Sequence, residues 1–340
     1  MTSLFSAHPA QRRQFQSAML FVAISAISMG ATAQNTAGKS AAPAAWPTKP
    51  VRILVGFAGG STPDIAARTL AEPLSRALGQ PVIIENKPGA SGNISADLVA
   101  KATDDHTLGV VINGNLTSAK LLYSKLPYDP AKDFTPISLL ATAPLVLVAP
   151  TTLPSGVAFF DAARAGGDKW SYGSPGNGTV GHLGMELLKS KAGGVQAVHI
   201  PYQGNPQVVT ALLGGQLQMA LLPPGLALPQ IKAGKLKAIG LTSGRSALAT
   251  EIAPLADADI RNFNLEVWTA LVGPANLSKA AQAKLNAEVS KIIREADTRQ
   301  KLFNQGWQAV GTSPDGLNNR IKSETAILGG IIAMRGIKIE

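Results

Sequence analysis

The chain of 340 residues contains no cysteine. That absence removes disulfides, thiolate nucleophiles, cysteine metal sites and lipid attachment through a cysteine. Acidic residues are also scarce, 21 against 31 Lys and Arg, which leaves a net charge of +10. Residues 187–250 contain no Asp or Glu at all. Missing too is any Lys/Arg-rich block with interleaved aromatics, so nucleic acid is not expected as a partner and the positive balance points to small anions. Long hydrophobic runs are few. The longest, residues 18–29, is shorter than the roughly 20 apolar residues a membrane span requires.

That run has the flanks of an export signal. Arg12 and Arg13 precede it, and Ala31-Thr32-Ala33 supplies a small-residue cleavage site, so residues 1–33 read as a signal peptide. The paired arginines fit the twin-arginine route as well as an ordinary leader. Residues 34–45 are small and polar and read as a flexible tether. The folded part therefore begins near Trp46 and is long enough for two domains. An exported chain without a lipid anchor or a second long apolar run is expected to diffuse freely in a periplasm.

From Val51 short β-branched runs alternate with helical stretches. VRILVGF (51–57), PVIIEN (81–86) and TLGVVIN (107–113) read as strands, with helices over about 63–78 and 94–102 between them. This alternation predicts a parallel sheet with helices on both faces. A second α/β unit starts at PLVLVAP (144–150) and continues through WSYGS, AVHIPY and QLQMALL, with helices near 158–165, 182–191 and 207–213. From about Ser278 the pattern turns helical, with Leu285, Val289, Ile292 and Ile293 on one stripe and a last helix starting at Ser313-Pro314. The expected division is 46–143 plus 256–340 for one lobe and 144–255 for the other.

SYGSPGNGTVGHL (171–183) carries two enzymatic spacings, and both fail. Gly176-x-Gly178-x-x-Gly181 matches a dinucleotide turn, but the acid expected about 20 residues later is missing from the acid-free interval. Ser174 lies among glycines, yet a nucleophile elbow needs Gly two positions earlier, where Tyr172 stands. His106, His182 and His199 are not spaced as a metal site. No metal, no cofactor and no catalytic residue are therefore assigned.

What remains is a strand end, small residues and a helix start, and this occurs three times. GFAGGSTPD (56–64) has Thr62 as N-cap candidate and Pro63 at N1. YGSPGNGTVGH (172–182) offers Asn177 or Thr179, and PYQGNPQ (201–207) offers Asn205 with Pro206 at N1. Each delivers free backbone N–H groups at the positive end of a helix dipole, a setting that favours an anion such as a carboxylate. Each is equally readable as a well-capped α/β turn.

In this order, WPTKPVRILVGFAGGSTPDIAAR, GQPVIIENKPGASGN, LPYDPAKDFTPIS, YGSPGNGTVGHLGMELL, VHIPYQGNPQVVTALLGGQ and IKAGKLKAIGLTSGRS resemble the Bug-type solute-binding receptors of tripartite tricarboxylate transporters over about 46–340. The resemblance implies a type II periplasmic-binding-protein fold: two α/β lobes joined by crossing hinge strands that close on a ligand like a Venus flytrap. It implies a non-catalytic receptor that captures a small organic carboxylate and presents it to membrane permease subunits. A monomer is expected.

Carried over residue by residue, the ligand-binding positions would be Phe57, Ala58, Gly59, Gly60, Ser61 and Thr62 in the first loop. They would be Ser174, Gly176, Asn177, Gly178 and Thr179 in the second, and Tyr202, Gly204 and Asn205 in the third. Asn113 and Asn115 would read the far end of the ligand, with Trp268 as a further packing candidate. Asp64, Asn86 and His182 would fix the loops. Leu222-Pro223-Pro224 stands near where many members of that family carry an Asp in the cleft. A ligand sensor acting on a signalling partner is an alternative, and a periplasmic hydrolase on the same scaffold is another.

Overall fold

VRILV is apolar at four of its five positions and forms β1 (Val51–Val55), buried except at Arg52, whose guanidinium is neutralised by Glu85 on the neighbouring strand. A computed structural model describes residues 46–339. The signal-peptide and tether readings lie outside the described residues.

α1 (Thr62–Leu78) follows β1, and then come β2 (Val82–Asn86), α2 (Asn93–Ala100) and β3 (Thr107–Ile112). Ala66, Ala67, Leu70, Leu74 and Leu78 are buried along one face of α1, and the left-handed Gly79 ends the helix by returning its N–H to the Ser75 carbonyl. Two short helices, α3 (Asn113–Leu116) and α4 (Ala119–Leu122), lead to β4 (Phe134–Pro144). One residue later β5 (Val146–Pro150) begins in a different sheet.

The second half continues with α5 (Val157–Gly166), β6 (Ser171–Ser174), α6 (Val180–Lys191), β7 (Val198–Pro201) and α7 (Asn205–Leu213). β8 (Met219–Leu222), α8 (Pro224–Lys232) and β9 (Leu236–Leu241) complete it. The chain returns through β10 (Glu266–Pro274), α9 (Lys279–Arg294), α10 (Ala296–Asn304), β11 (Gln308–Ala309) and α11 (Pro314–Arg335). The sheets have strand orders β11-β4-β10-β3-β1-β2 and β7-β6-β8-β5-β9. They give the two-lobed α/β organisation, with chain crossings between β4 and β5 and between β9 and β10.

Neither sheet is purely parallel, which corrects the expectation from strand–helix alternation. β1 runs parallel to β2 and β3, and β6 to β7 and β8, but β10 is antiparallel to β3 and β4, and β5 is antiparallel to β8 and β9. The antiparallel strands include the two that meet at the β4–β5 crossing. β4, β9, β10 and β11 were not read from the sequence. The predicted α9 stripe of Leu285, Val289, Ile292 and Ile293 is buried, and Ser278 and Ser313 cap α9 and α11 with their side chains.

Trp268 is fully buried on β10, packed among Leu54, Val111, Ala270 and Leu317, and its Nε1 donates to Glu324 Oε2 on α11 at 2.9 Å. It belongs to this core and not to a cleft, which corrects its candidacy for ligand packing. Leu222 is likewise fully buried in the core beneath α7 and α8. Trp268→Ala is expected to cost about 3–5 kcal/mol through the cavity it leaves. Urea denaturation monitored by far-UV circular dichroism reads this as a lowered midpoint.

Candidate functional site

The first loop is shaped by a buried carboxylate. Asp64, 2% exposed, accepts from the Gly60 N–H at 2.9 Å, from Arg68 Nε at 3.0 Å and from Asn86 Nδ2 at 2.8 Å. Asn86 Nδ2 also donates to the Phe57 carbonyl at 2.9 Å, so the far end of β2 holds both ends of the loop. Burial by itself would raise the Asp64 pKa, but Arg68, the Gly60 amide and Asn86 together bring it below the ordinary carboxylate value. Ser61, extended and 1% exposed, is the N-cap of α1, and Thr62 is the first helical residue rather than the cap. Ala58 is half-buried, while Gly59 and Gly60 are exposed and face an outer groove beside Arg68. Gly59 and Gly60 thus line this outer groove rather than the cavity between the helix starts, contrary to the expectation for these two residues.

The second loop is held by an aromatic stack. His182 and His199 lie with ring centroids 4.0 Å apart, and His199 stacks on Tyr172 at 4.8 Å. The Gly178 N–H donates to His182 Nδ1 at 3.0 Å, and His199 Nε2 shares a 2.7 Å hydrogen bond with Ser174 Oγ. Thr179 is the N-cap of α6 and accepts from the His182 N–H. The Ser174–His199 pair brings a hydroxyl and an imidazole together, which motif spacing did not reveal. Ser174 is nonetheless fully buried, and the nearby Glu186 is bonded to Tyr172, Lys189 and Arg335. Gly176 (φ +132) admits no side chain, since a Cβ there would stand 2.4 Å from Ser91 Oγ across the lobe seam.

In the third loop Gly204 is the N-cap of α7, and Asn205 and Pro206 lie in its first turn, so the helix starts one position earlier than expected. Tyr202 is half-buried and packs on the core beneath α7 and α8 with Ile200 and Val209, so its ring serves its own lobe and not the cleft. Asn205 Nδ2 donates to Thr62 Oγ1 at 3.1 Å and ties α7 to α1. Ser118 Oγ donates to the Gly178 carbonyl at 2.7 Å, and Tyr123 Oη to the Asn177 carbonyl at 3.4 Å. These three bonds join strand-end loops of one sheet to loops and short helices of the other.

One cavity collects the helix starts. It is lined by Ser61, Thr62 and Pro63 of α1, Thr179, Val180 and Gly181 of α6, Asn205 of α7 and Pro223, the N-cap of α8. Phe57, Ile112, Leu145, Pro175, Leu221 and Val267 complete its wall. Ser61 Oγ and Asn205 Oδ1 are buried here with no hydrogen-bond partner among the described residues. The cavity holds about 30 Å³, against the roughly 300–1,000 Å³ usual for ligand pockets, so admitting a ligand requires the walls to part.

Asn113 does not line this cavity. Its Nδ2 donates to Glu324 Oε1 at 2.6 Å and to the Glu266 carbonyl, so it anchors α11, a correction to its expected ligand contact. Asn115 is also engaged, donating to the Ser91 carbonyl and Asn93 Oδ1, beside a smaller void lined by Asn177 and Gly178. Sequence reasoning missed the apolar wall of Ile112, Leu145, Leu221 and Val267. Those residues lie at or beside strand ends, and only the strand order reveals which ends meet.

Burial pushes His182 down to about 4 and His199 to about 3. Both protonate more readily in the unfolded chain, where the value is about 6.5. Their contribution to stability is therefore complete above about pH 6.5 and is lost as the pH falls towards 4 and then 3. Denaturation measured from pH 7 to pH 4 is expected to show declining stability, with a shallower decline in His182→Gln.

The sequence profile described as "Tripartite tricarboxylate transporter family receptor" matches residues 66–337. A protein of Bordetella pertussis is 32% identical over 306 residues, covering 89% of this chain and 94% of its own length. BugT of the same organism is 29% identical over 300 residues, covering 87% and 92%. Among solved structures, an R. palustris protein with adipate superposes with a TM-score of 0.83 at 29% identity, covering 86% of this chain and 99% of its own. MatC from Rhodopseudomonas palustris with bound malate gives 0.80 at 30% identity, covering 84% and 100%. The profile spans most of the chain and the relatives are matched over most of their length, so the chain belongs to the receptor family of the tripartite tricarboxylate transporters.

Proposed function

We propose that this receptor works in the periplasm, where it captures a small organic carboxylate between its lobes and delivers it to the membrane permease subunits of a tripartite transporter. Capture involves no chemistry on the ligand, and the receptor acts as a monomer. The lobes are 46–143 plus 256–340 and 144–255. A signal peptide over residues 1–33 exports the chain, with Arg12-Arg13 fitting the twin-arginine route. The solved neighbours with adipate and malate support the ligand class.

One observation carries the reading. Three helices bring their first turns to a single cavity, with Ser61 Oγ and Asn205 Oδ1 buried and unpaired beside them. The first N–H groups of a helix have no partner within it, and the dipole makes that end positive. A carboxylate supplies both the acceptors and the charge. If turned over, the Asn205 amide accepts from the Thr62 hydroxyl and offers its NH₂ group to the anion. Each hydrogen bond to a charged group contributes about 1.5–3 kcal/mol, so a few of them reach the roughly −8 kcal/mol of a micromolar complex.

Thermal denaturation of residues 34–340 against a panel of carboxylates tests this. A bound acid at one hundred times its Kd is expected to stabilise the protein by about 2.7 kcal/mol. Asn205→Asp keeps the side-chain shape and suits a helix N-terminus, but it sets a negative charge against the ligand. It is expected to remove the shift while leaving the unliganded melting temperature close to that of the parent. A shift retained in that variant, or no response to any carboxylate, counts against the site.

A further inference from the structure

The cavity wall separates into two kinds of surface. Its polar side chains, Ser61, Thr62, Thr179 and Asn205, all belong to the starts of α1, α6 and α7. The remainder is apolar, chiefly Phe57, Ile112, Leu145, Leu221, Pro223 and Val267. Among the described residues no Lys, Arg, Asp, Glu or His lines it. The nearest loop-fixing acid, Asp64, is saturated by Gly60, Arg68 and Asn86.

A fourth helix start also reaches the cavity, and it is disarmed. Pro223 is the N-cap of α8 and Pro224 follows it in the first turn. Proline has no backbone N–H, so α1 and α7 each lose one donor, to Pro63 and Pro206, whereas α8 loses two in succession. The donors facing the cavity therefore come from the starts of α1, α6 and α7, and hydrocarbon covers most of the remaining wall. A second carboxylate would lie against hydrocarbon without a partner, and burying an unpaired charge there is strongly unfavourable. An ammonium group would find no carboxylate facing it.

Building on the carboxylate reading above, we propose that the cleft selects a monocarboxylate with an apolar aliphatic or aromatic body and discriminates against dicarboxylates and amino acids. Pro223 is the specificity-determining residue. It replaces a donor-bearing helix start by an apolar surface against which the body of the ligand packs. This sets the chain apart from the two neighbours solved with the diacids adipate and malate.

Isothermal titration of residues 34–340 with two matched pairs, hexanoate against adipate and benzoate against terephthalate, tests the proposal. The members of each pair differ by one carboxylate. The monoacid of at least one pair is expected to bind about tenfold or more tighter than its diacid, with neither pair reversed. A diacid that binds as tightly as its monoacid, or more tightly, overturns the proposal and leaves the carboxylate-receptor reading standing. If none of the four binds, the proposal falls, and the wider carboxylate panel decides separately whether the receptor reading falls with it. Pro223→Ser restores an N–H and adds a hydroxyl at a position whose backbone (φ −60, ψ 149) suits an N-cap serine. In that variant the preference for the monoacid is expected to shrink about threefold or more. An unchanged ratio in a folded Pro223→Ser protein removes Pro223 from the specificity argument.

Discussion

The first turn of a helix carries backbone N–H groups that the helix itself cannot satisfy, and this chain brings several such turns to one place. α1 begins where β1 ends, α6 where β6 ends and α7 where β7 ends, and residues from all three starts line one cavity. The strand order makes this possible, since β1 lies between β2 and β3, and β6 between β7 and β8, so successive strands fall on opposite sides of each. Strand ends at such a reversal of order are where ligands bind in open α/β sheets. The donors are therefore consequences of topology. Small residues at the turns leave room for an acceptor to approach them.

Donors that must meet an anion have to be held still, and the two lobes solve this differently. In the first lobe a buried carboxylate organises its loop, with Asp64 drawing in an amide, a guanidinium and a carboxamide at about 3 Å. In the second the work falls to two neutral histidines stacked 4.0 Å apart, one bonded to the Gly178 amide and the other to Ser174 Oγ. A carboxylate in the second loop would repel an anionic ligand. Neutral imidazoles do not, and residues 187–250, which follow this loop, add no carboxylate. Asp64 is tolerated because its charge is already compensated by Arg68.

The three loops were legible in the sequence because glycine, proline and capping residues mark helix starts locally. Ser278 caps α9 as expected, Thr179 is the one of the two candidates Asn177 and Thr179 that caps α6, and α11 starts at the expected Ser313-Pro314. The caps lie one residue before the expected ones, at Ser61 and Gly204, because the following Thr62 and Asn205 are themselves favoured cap types. β4 and β10 were missed altogether. Their pairing is with each other and joins residues more than a hundred positions apart, so no local pattern announces it. Asn113 and Trp268 were misassigned for the same reason: their partner, Glu324, stands on α11 at the far end of the chain. Local chemistry is written in local sequence, whereas the choice between cleft and core depends on which distant segment arrives.

α11 also constrains how the cavity can open. Near its start Leu317 packs in the core that contains Trp268, and Glu324 binds both Asn113 and Trp268, so this part belongs with the first sheet. Towards its end Ile331 and Ile332 join the core containing Leu183, Met185 and Leu188, and Arg335 reaches Glu186 on α6. One helix is thus fastened to both lobes by buried apolar contacts. Separating the lobes there would expose those contacts and break the Glu186 cluster. Between the loops of the two sheets run three neutral hydrogen bonds, Asn205–Thr62, Ser118–Gly178 and Tyr123–Asn177, each costing about 1 kcal/mol to lose once water replaces it. Opening is therefore least costly as a rotation that keeps α11 seated and parts α1 from α7. That motion exposes the unpaired amides, Ser61 Oγ and the apolar wall together, so a ligand that re-pairs and covers them favours the closed arrangement by its own contacts.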